Sequence, residues 1–243
     1  MKVIQPNCRI QFTADDINFI VTALSRSPSD HQFLADLLGD EDTRDQILDD
    51  EALFHSLLEL RGCVPVSDHL YFYVMVRHVL REAGILERRV ADYVAEILCE
   101  FSRQDRNCCT VPGHVAPLDY FFEMVAALKT ADERTSFYLR AHIGNHSLFL
   151  AGVFPDRIRY RAESKGFPDL SYYEALGQSS YRAAGDHRLA GRYELVPIFS
   201  TLAAQFRDAR MALNDVAQRL FTLGDTDLGL DSLLLNVRPD TAN

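Results

Sequence analysis

Two histidines four positions apart, His142 and His146, sit inside the apolar run FYLRAHIGNHSLFLAGVF at residues 137–154. Imidazoles at i and i+4 project from one side of a helix and can converge on a single metal ion, as in zinc helices of the His-Glu-x-x-His type. Here the motif reads HIGNH, so the glutamate that acts as base in those helices is missing. No cysteine or carboxylate completes a ligand set at a recognised spacing, and the chain contains no Glu-x-x-His pair of the kind that builds di-iron bundles.

The direction of the pair follows from helix geometry. At about 100° per residue, His146 lies about 40° round from His142, with Tyr138, Phe149 and Val153 within about 40° of it. Arg140, Gly144, Ser147 and Ala151 gather on the opposite side. The two histidines are therefore expected to face the interior. An inward imidazole is costly unless its nitrogens are hydrogen-bonded. Two readings fit: core histidines satisfied by tyrosine hydroxyls, carbonyls or buried water, or a pair of metal ligands. The first is favoured, since most helical histidines are satisfied polar groups.

Other residues offer chemistry in support. Arg77 and His78 end the apolar stretch of SDHLYFYVMVRHVLREAG. Arg77 is either a buried cation that holds an anionic ligand or a side chain that snorkels outward, and His78 pairs naturally with Glu82 one turn on. Glu123 stands in the aromatic run LDYFFEMVAAL, and Asn145 lies between the two histidines. In DLSYYEALGQSSYRAAGD, Tyr173/Gly177/Tyr181 and Glu174/Gln178/Arg182 form two i, i+4 series, and Ala175, Gly177 and Ala184 permit close approach of a neighbouring helix. If these helices pack together, His142, His146, Glu123, Tyr173 and Glu174 converge on one interior pocket. No cofactor is predicted, and a transition metal at His142 and His146 is the one the pattern leaves open. The vicinal Cys108 and Cys109 with His114 fall short of a zinc set, and no phosphate-binding loop or nucleophile elbow is present.

The elements that must position these groups are helical. Thr13 with Asp16 opens a helix near 14–26 and Ser29 caps a second that Gly39 closes. A third runs from Asp50 to Gly62, and Ser67 caps a fourth that ends at Gly84. Further helices are expected near 87–103, 117–130, 134–153, 169–185 and 194–222, with FPDRIRYRAESKGFPD and GDHRLAGR as connectors. Strand alternation beside hairpin dipeptides is nearly absent. The fold class is all-α, a bundle of about eight to ten helices with a long C-terminal helix. An acidic section at 1–104, a loop at 105–117 and a C-terminal bundle at 118–243 are the natural divisions, within one domain or two.

That last helix has the strongest periodicity. Leu195, Phe199, Leu202, Phe206, Ala209, Leu213, Val216 and Leu220 alternate in steps of four and three, the pattern of a long seam between near-parallel helices. Leu86, Val90, Tyr93, Ile97 and Phe101 offer an internal antiparallel partner; a second copy of the chain, making a homodimer through 195–220, is the alternative.

Charge narrows the partners. The formal net charge of −10 disfavours non-specific binding to nucleic acid or anionic membrane. Residues 14–52 hold eleven carboxylates and two arginines, whereas 134–192 hold nine basic and five acidic residues. A solvated face plus acidic helix N-termini accounts for the acidic block more simply than a docking surface does. Arg157, Arg159 and Arg161 with Tyr160 make a short basic patch. Five cysteines without a disulfide framework fit a reducing compartment, the N-terminus has no long apolar run, and no segment is apolar enough to span a membrane. The chain is expected to be soluble and cytoplasmic. It reads first as a non-catalytic interaction or regulatory module, and second as a bundle that binds a metal or small anion around His142 and His146.

Overall fold

The computed structural model describes residues 3–59, 66–102 and 121–223. Among them the chain forms a 3-10 turn at Cys8–Gln11 and thirteen helices, with no strand. The N-terminal set is α1 (Ala14–Leu24), α2 (Pro28–Gly39), α3 (Glu41–Leu48), α4 (Glu51–Leu58), α5 (Asp68–Glu82) and α6 (Arg88–Ser102). After residue 120 follow α7 (Phe121–Ala127), α8 (Glu133–Val153), α9 (Pro155–Lys165), α10 (Leu170–Gly185), α11 (Arg188–Arg192), α12 (Val196–Ala204) and α13 (Phe206–Leu223). The loop at 105–117 with Cys108, Cys109 and His114 lies outside the described residues, as do Cys63, the expected helix end at Gly62, and the terminal VRPDTAN.

The helix count exceeds the expected eight to ten because short helices leave little periodic signal. The segment 155–165, expected as a connector, is α9: Pro155 opens it with a preset φ, and Gly166 closes it in the left-handed region at φ 67°. Few apolar residues mark its face. GDHRLAGR contains the one-turn helix α11, and the single residue Asp40 separates α2 from α3. Ser27, not Ser29, is the N-cap of α2 and shares a capping box with Asp30.

The long C-terminal helix is also corrected. It is two helices, parted at Gln205 with φ −113° and ψ 30°. The seam residues from Leu195 to Val216 are all buried, so the spacing reported burial correctly. It could not report the break, because the buried positions keep the same register through Gln205, although the two helices meet different partners. α12 packs on α10 and α6, while α13 packs on α8 and α5. Of the partner residues proposed on 86–101, Leu86 is exposed, whereas Tyr93 meets Phe199 of α12 edge-on at 5.8 Å. The side chain of Leu220 lies outside the described set.

α8 is the central post. Its side opposite the histidines, expected to be the polar one, is the most tightly packed: Gly144, Ser147 and Ala151 are buried. Small residues here serve close approach. A Cβ on Gly177 of α10 would stand 2.3 Å from the Phe206 ring and 3.1 Å from Ser147 Cβ, and one on Gly152 would stand 2.7 Å from Leu213 Cβ. One continuous apolar core joins buried residues from Val3 to Ala217, on both sides of the 105–117 segment. No helix among the described residues is long and apolar enough to cross a membrane.

The acidic block is largely absorbed by the fold. The side chains of Asp40 and Asp50 cap α3 and α4, and Asp30 accepts from the Ser27 N–H. Buried Asp16 accepts from the Thr13 N–H at 2.7 Å and from the N–H and hydroxyl of Ser67, each at 2.7 Å, tying α1 to the start of α5. Asp45 and Asp49 gather the arginines Arg9, Arg88, Arg77 and Arg81.

Candidate functional site

The histidine pair faces inward as its spacing requires, into an aromatic box. His146, 6% exposed, is stacked between Phe101 near the end of α6 (5.4 Å, 10°) and Phe121 at the start of α7 (4.9 Å, 23°). His142 is tilted against Phe101 at 5.6 Å and against His146 at 5.7 Å. His142 Nε2 and His146 Nδ1 are buried without a hydrogen-bond partner, so the expected satisfaction fails at one nitrogen of each ring. Burial lowers the pKa of His142 to about 4, and burial with the neighbouring His142 lowers that of His146 to about 3. Both rings are neutral at pH 7. They act as flat, weakly polar members of an aromatic stack. Among the described residues, no third Cys, His, Asp or Glu donor joins them.

The other candidates do not form one pocket. Asn145 leaves α8 on a different side, where its Oδ1 accepts from the hydroxyls of Tyr93 (α6) and Tyr181 (α10), each at 2.9 Å. Burial raises the pKa of both tyrosines, so this wholly buried bridge stays neutral and joins three helices. Tyr173 touches the edge of Phe121 at 5.3 Å, with that ring between it and His146. Glu174 accepts from Arg210 Nε of α13 at 2.7 Å. Glu123 is half-buried on α7. Arg77 is buried, not snorkelling, and its anion is the chain's own Asp49, gripped at 2.8 and 3.0 Å, with the Leu86 carbonyl at 2.7 Å. Burial alone would raise the Asp49 carboxyl, but hydrogen bonding and charge from Arg77, then Arg88 and Arg81, hold it below the usual carboxylate range. His78 pairs with Glu82 at 3.4 Å, as its spacing predicts, and stacks on Phe54.

Sequence reasoning missed a second polar interior, on the opposite face of α6. The 3-10 turn lies along that helix: the Arg9 N–H donates to Asp92 Oδ1 at 2.9 Å, and Gln11 Nε2 donates to Glu96 Oε2 at 3.0 Å. Beside these two anchors, Cys8 is fully buried against Cys99 and Glu96, their donor atoms all within 4.8 Å of one another. Neither cysteine is in a disulfide. Glu96 and Cys99 stand at i and i+3, a legible pair, but Cys8 comes from 91 positions before Cys99 and nothing local announces it.

A third feature lies on the outside of α8. Leu150, Phe154, Ile158, Phe167 and Tyr173 floor a cleft of about 50 Å³ that Arg157 and Arg161 rim. The Arg161 guanidinium sits 4.1 Å over the Phe167 ring. Tyr160, Phe167 and Tyr172 are exposed around it.

Relatives supply no identity. No family model, no curated protein and no solved structure matches the chain.

Proposed function

We propose that the protein is a non-catalytic interaction module that docks an acidic segment of a partner protein on α9 and the turn after it. The observation that carries this reading is the cleft rimmed by Arg157 and Arg161 over an apolar floor. Arginine and aromatic side chains are the groups that dominate binding energy at interfaces. The cleft takes the end of one apolar side chain, while Arg161, with Lys165 one turn on along the same helix, meets flanking carboxylates. The acidic block is a poorer docking face because its carboxylates cap helices and hold interior arginines. The apolar positions of 195–216 are taken up inside the chain, so we put the docking face on α9 and not on that seam. Free, buried Cys8 and Cys99 fit a reducing cytoplasm.

A second reading, a metal or small anion at His142 and His146, is favoured by the unpartnered nitrogen on each ring and opposed by the lack of a third donor among the described residues. Fluorescence anisotropy with acidic peptides, each carrying one leucine or phenylalanine between carboxylates, tests the first. Binding that weakens with salt and falls at least about tenfold in Arg161→Glu is expected, as for paired charges across an interface. Equal binding of wild type and Arg161→Glu, or of peptides with and without the apolar residue, would reject it.

A further inference from the structure

The cluster between the 3-10 turn and α6 contains the donor set that the histidine pair lacks. We propose that Cys8, Glu96 and Cys99 bind one zinc ion, with His69 as the fourth ligand, and that the ion pins the N-terminal turn to α5 and α6. The three donors already lie within 4.8 Å of one another and all three residues are buried. A tetrahedral zinc with bonds of about 2.3 Å to sulfur holds two sulfurs about 3.8 Å apart, so these three donors close with side-chain movements of about an ångström, while the His69 ring, outside that group, turns in from beside Glu96.

His69 supplies an independent observation. It lies in the first turn of α5, its Nε2 is buried without a hydrogen-bond partner, and that nitrogen stands 3.8 Å from Glu96 Oε2. Its own carbonyl accepts from Cys8 Sγ at 3.3 Å, so the backbone beneath the imidazole is already against the thiol. A cation between these groups gives the orphaned nitrogen a partner and links three separate segments of chain.

The chemistry of the donors selects the metal. Two thiolates with one carboxylate and one imidazole suit zinc, whereas calcium and magnesium require oxygen ligands. Four protein ligands in a closed interior make the site structural, with no position left for substrate. Zinc takes the place of the two thiol protons, which pass to solvent, and leaves two thiolates, one carboxylate and the divalent ion, a net charge of −1 at the centre. Gln11 holds the Glu96 carboxylate in place from outside.

Cobalt(II) is the probe, added to the reduced full-length chain under a phosphine reductant. A thiolate-to-cobalt charge-transfer band that saturates at one ion per chain is expected, with zinc displacing the cobalt. The band persists when Cys63, Cys108 and Cys109 are all changed to serine, and disappears in Cys8→Ser and in Cys99→Ser. Gln11→Ala, an outer change that leaves the buried donors intact, weakens cobalt binding by about 10- to 100-fold, the usual effect of removing a partner that orients a ligand. No charge-transfer band in the wild type would overturn the proposal. So would a band that survives in Cys8→Ser or vanishes in the triple serine variant.

Discussion

The two polar interiors of this protein sit on opposite faces of α6 and obey different physics. On the Phe101 face, two imidazoles are closed into an aromatic stack with no charge and no third donor among the described residues. On the Asp92 face, thiols, carboxylates and arginines are buried together, and the charges are held in specific pairs. The first interior carries the conspicuous motif; the second carries the donor set. Spacing along one helix reports which way side chains point, while coordination depends on how many segments meet, and only the second region gathers donors from three of them.

The largest expected effect separates a paired charge from a stacked ring. Arg77→Leu strands Asp49 in a half-closed site and is expected to destabilise the fold by about 3 kcal/mol, read as a shift of the urea midpoint at unchanged slope. Arg88 and Arg81 remain near Asp49, which keeps the loss at the lower end for a broken buried pair.

Acid comes next, and it attacks the two interiors in different pH windows. His146 has a folded pKa of about 3, below the value of about 6.5 in an unfolded chain, so the unfolded state binds the extra proton. Its contribution is complete above pH about 6.5 and is lost as pH falls toward 3, about 2 kcal/mol by pH 5. Asp49, held below its ordinary value, contributes above pH about 4 and loses that contribution only as pH falls further. Urea unfolding of wild type and His146→Phe at pH 7 and pH 5 checks the order: the wild type should lose more stability than the variant over this interval. An equal loss in both would show that the ring is not held neutral by burial.

Smaller effects sharpen the same contrast. Tyr93→Phe removes one of two donors to Asn145 and is expected to cost about 1 kcal/mol in thermal or chemical unfolding, because the Tyr181 hydroxyl still satisfies the amide oxygen. His146→Phe at pH 7 should change stability by less than about 1 kcal/mol, since it keeps a flat ring in the stack and deletes an unpartnered nitrogen. A loss of several kcal/mol there would mean that the imidazole nitrogens do more than stack.

Much of the scaffold was legible. Helix caps such as Thr13 with Asp16 and Ser67 are decided within four residues, and α5 announces its central position by being apolar on every face. The inward turn of His142 and His146 followed from period alone. What surrounds them did not: Phe101 and Phe121 belong to other helices, and no local rule brings either ring to His146. Arg77 was visible as a cation, but its partner lies 28 residues back at Asp49. The break at Gln205 was hidden because both flanking helices bury their apolar faces in the same register. The small side of α8 misled for a related reason, since Gly144 and Ser147 are polar or featureless in sequence yet sit where Tyr181 and Gly177 pack most closely.

One measurement bears most directly on where this molecule can hold a metal. Nuclear magnetic resonance of the reduced chain, with histidine side chains and cysteine Cβ carbons labelled, follows both interiors at once through a zinc titration. Shifts of Cys8, Cys99 and His69 that are complete at one equivalent, with His142 and His146 unmoved, are the expected result. Movement of His142 and His146 while the two cysteines keep their thiol shifts would contradict it.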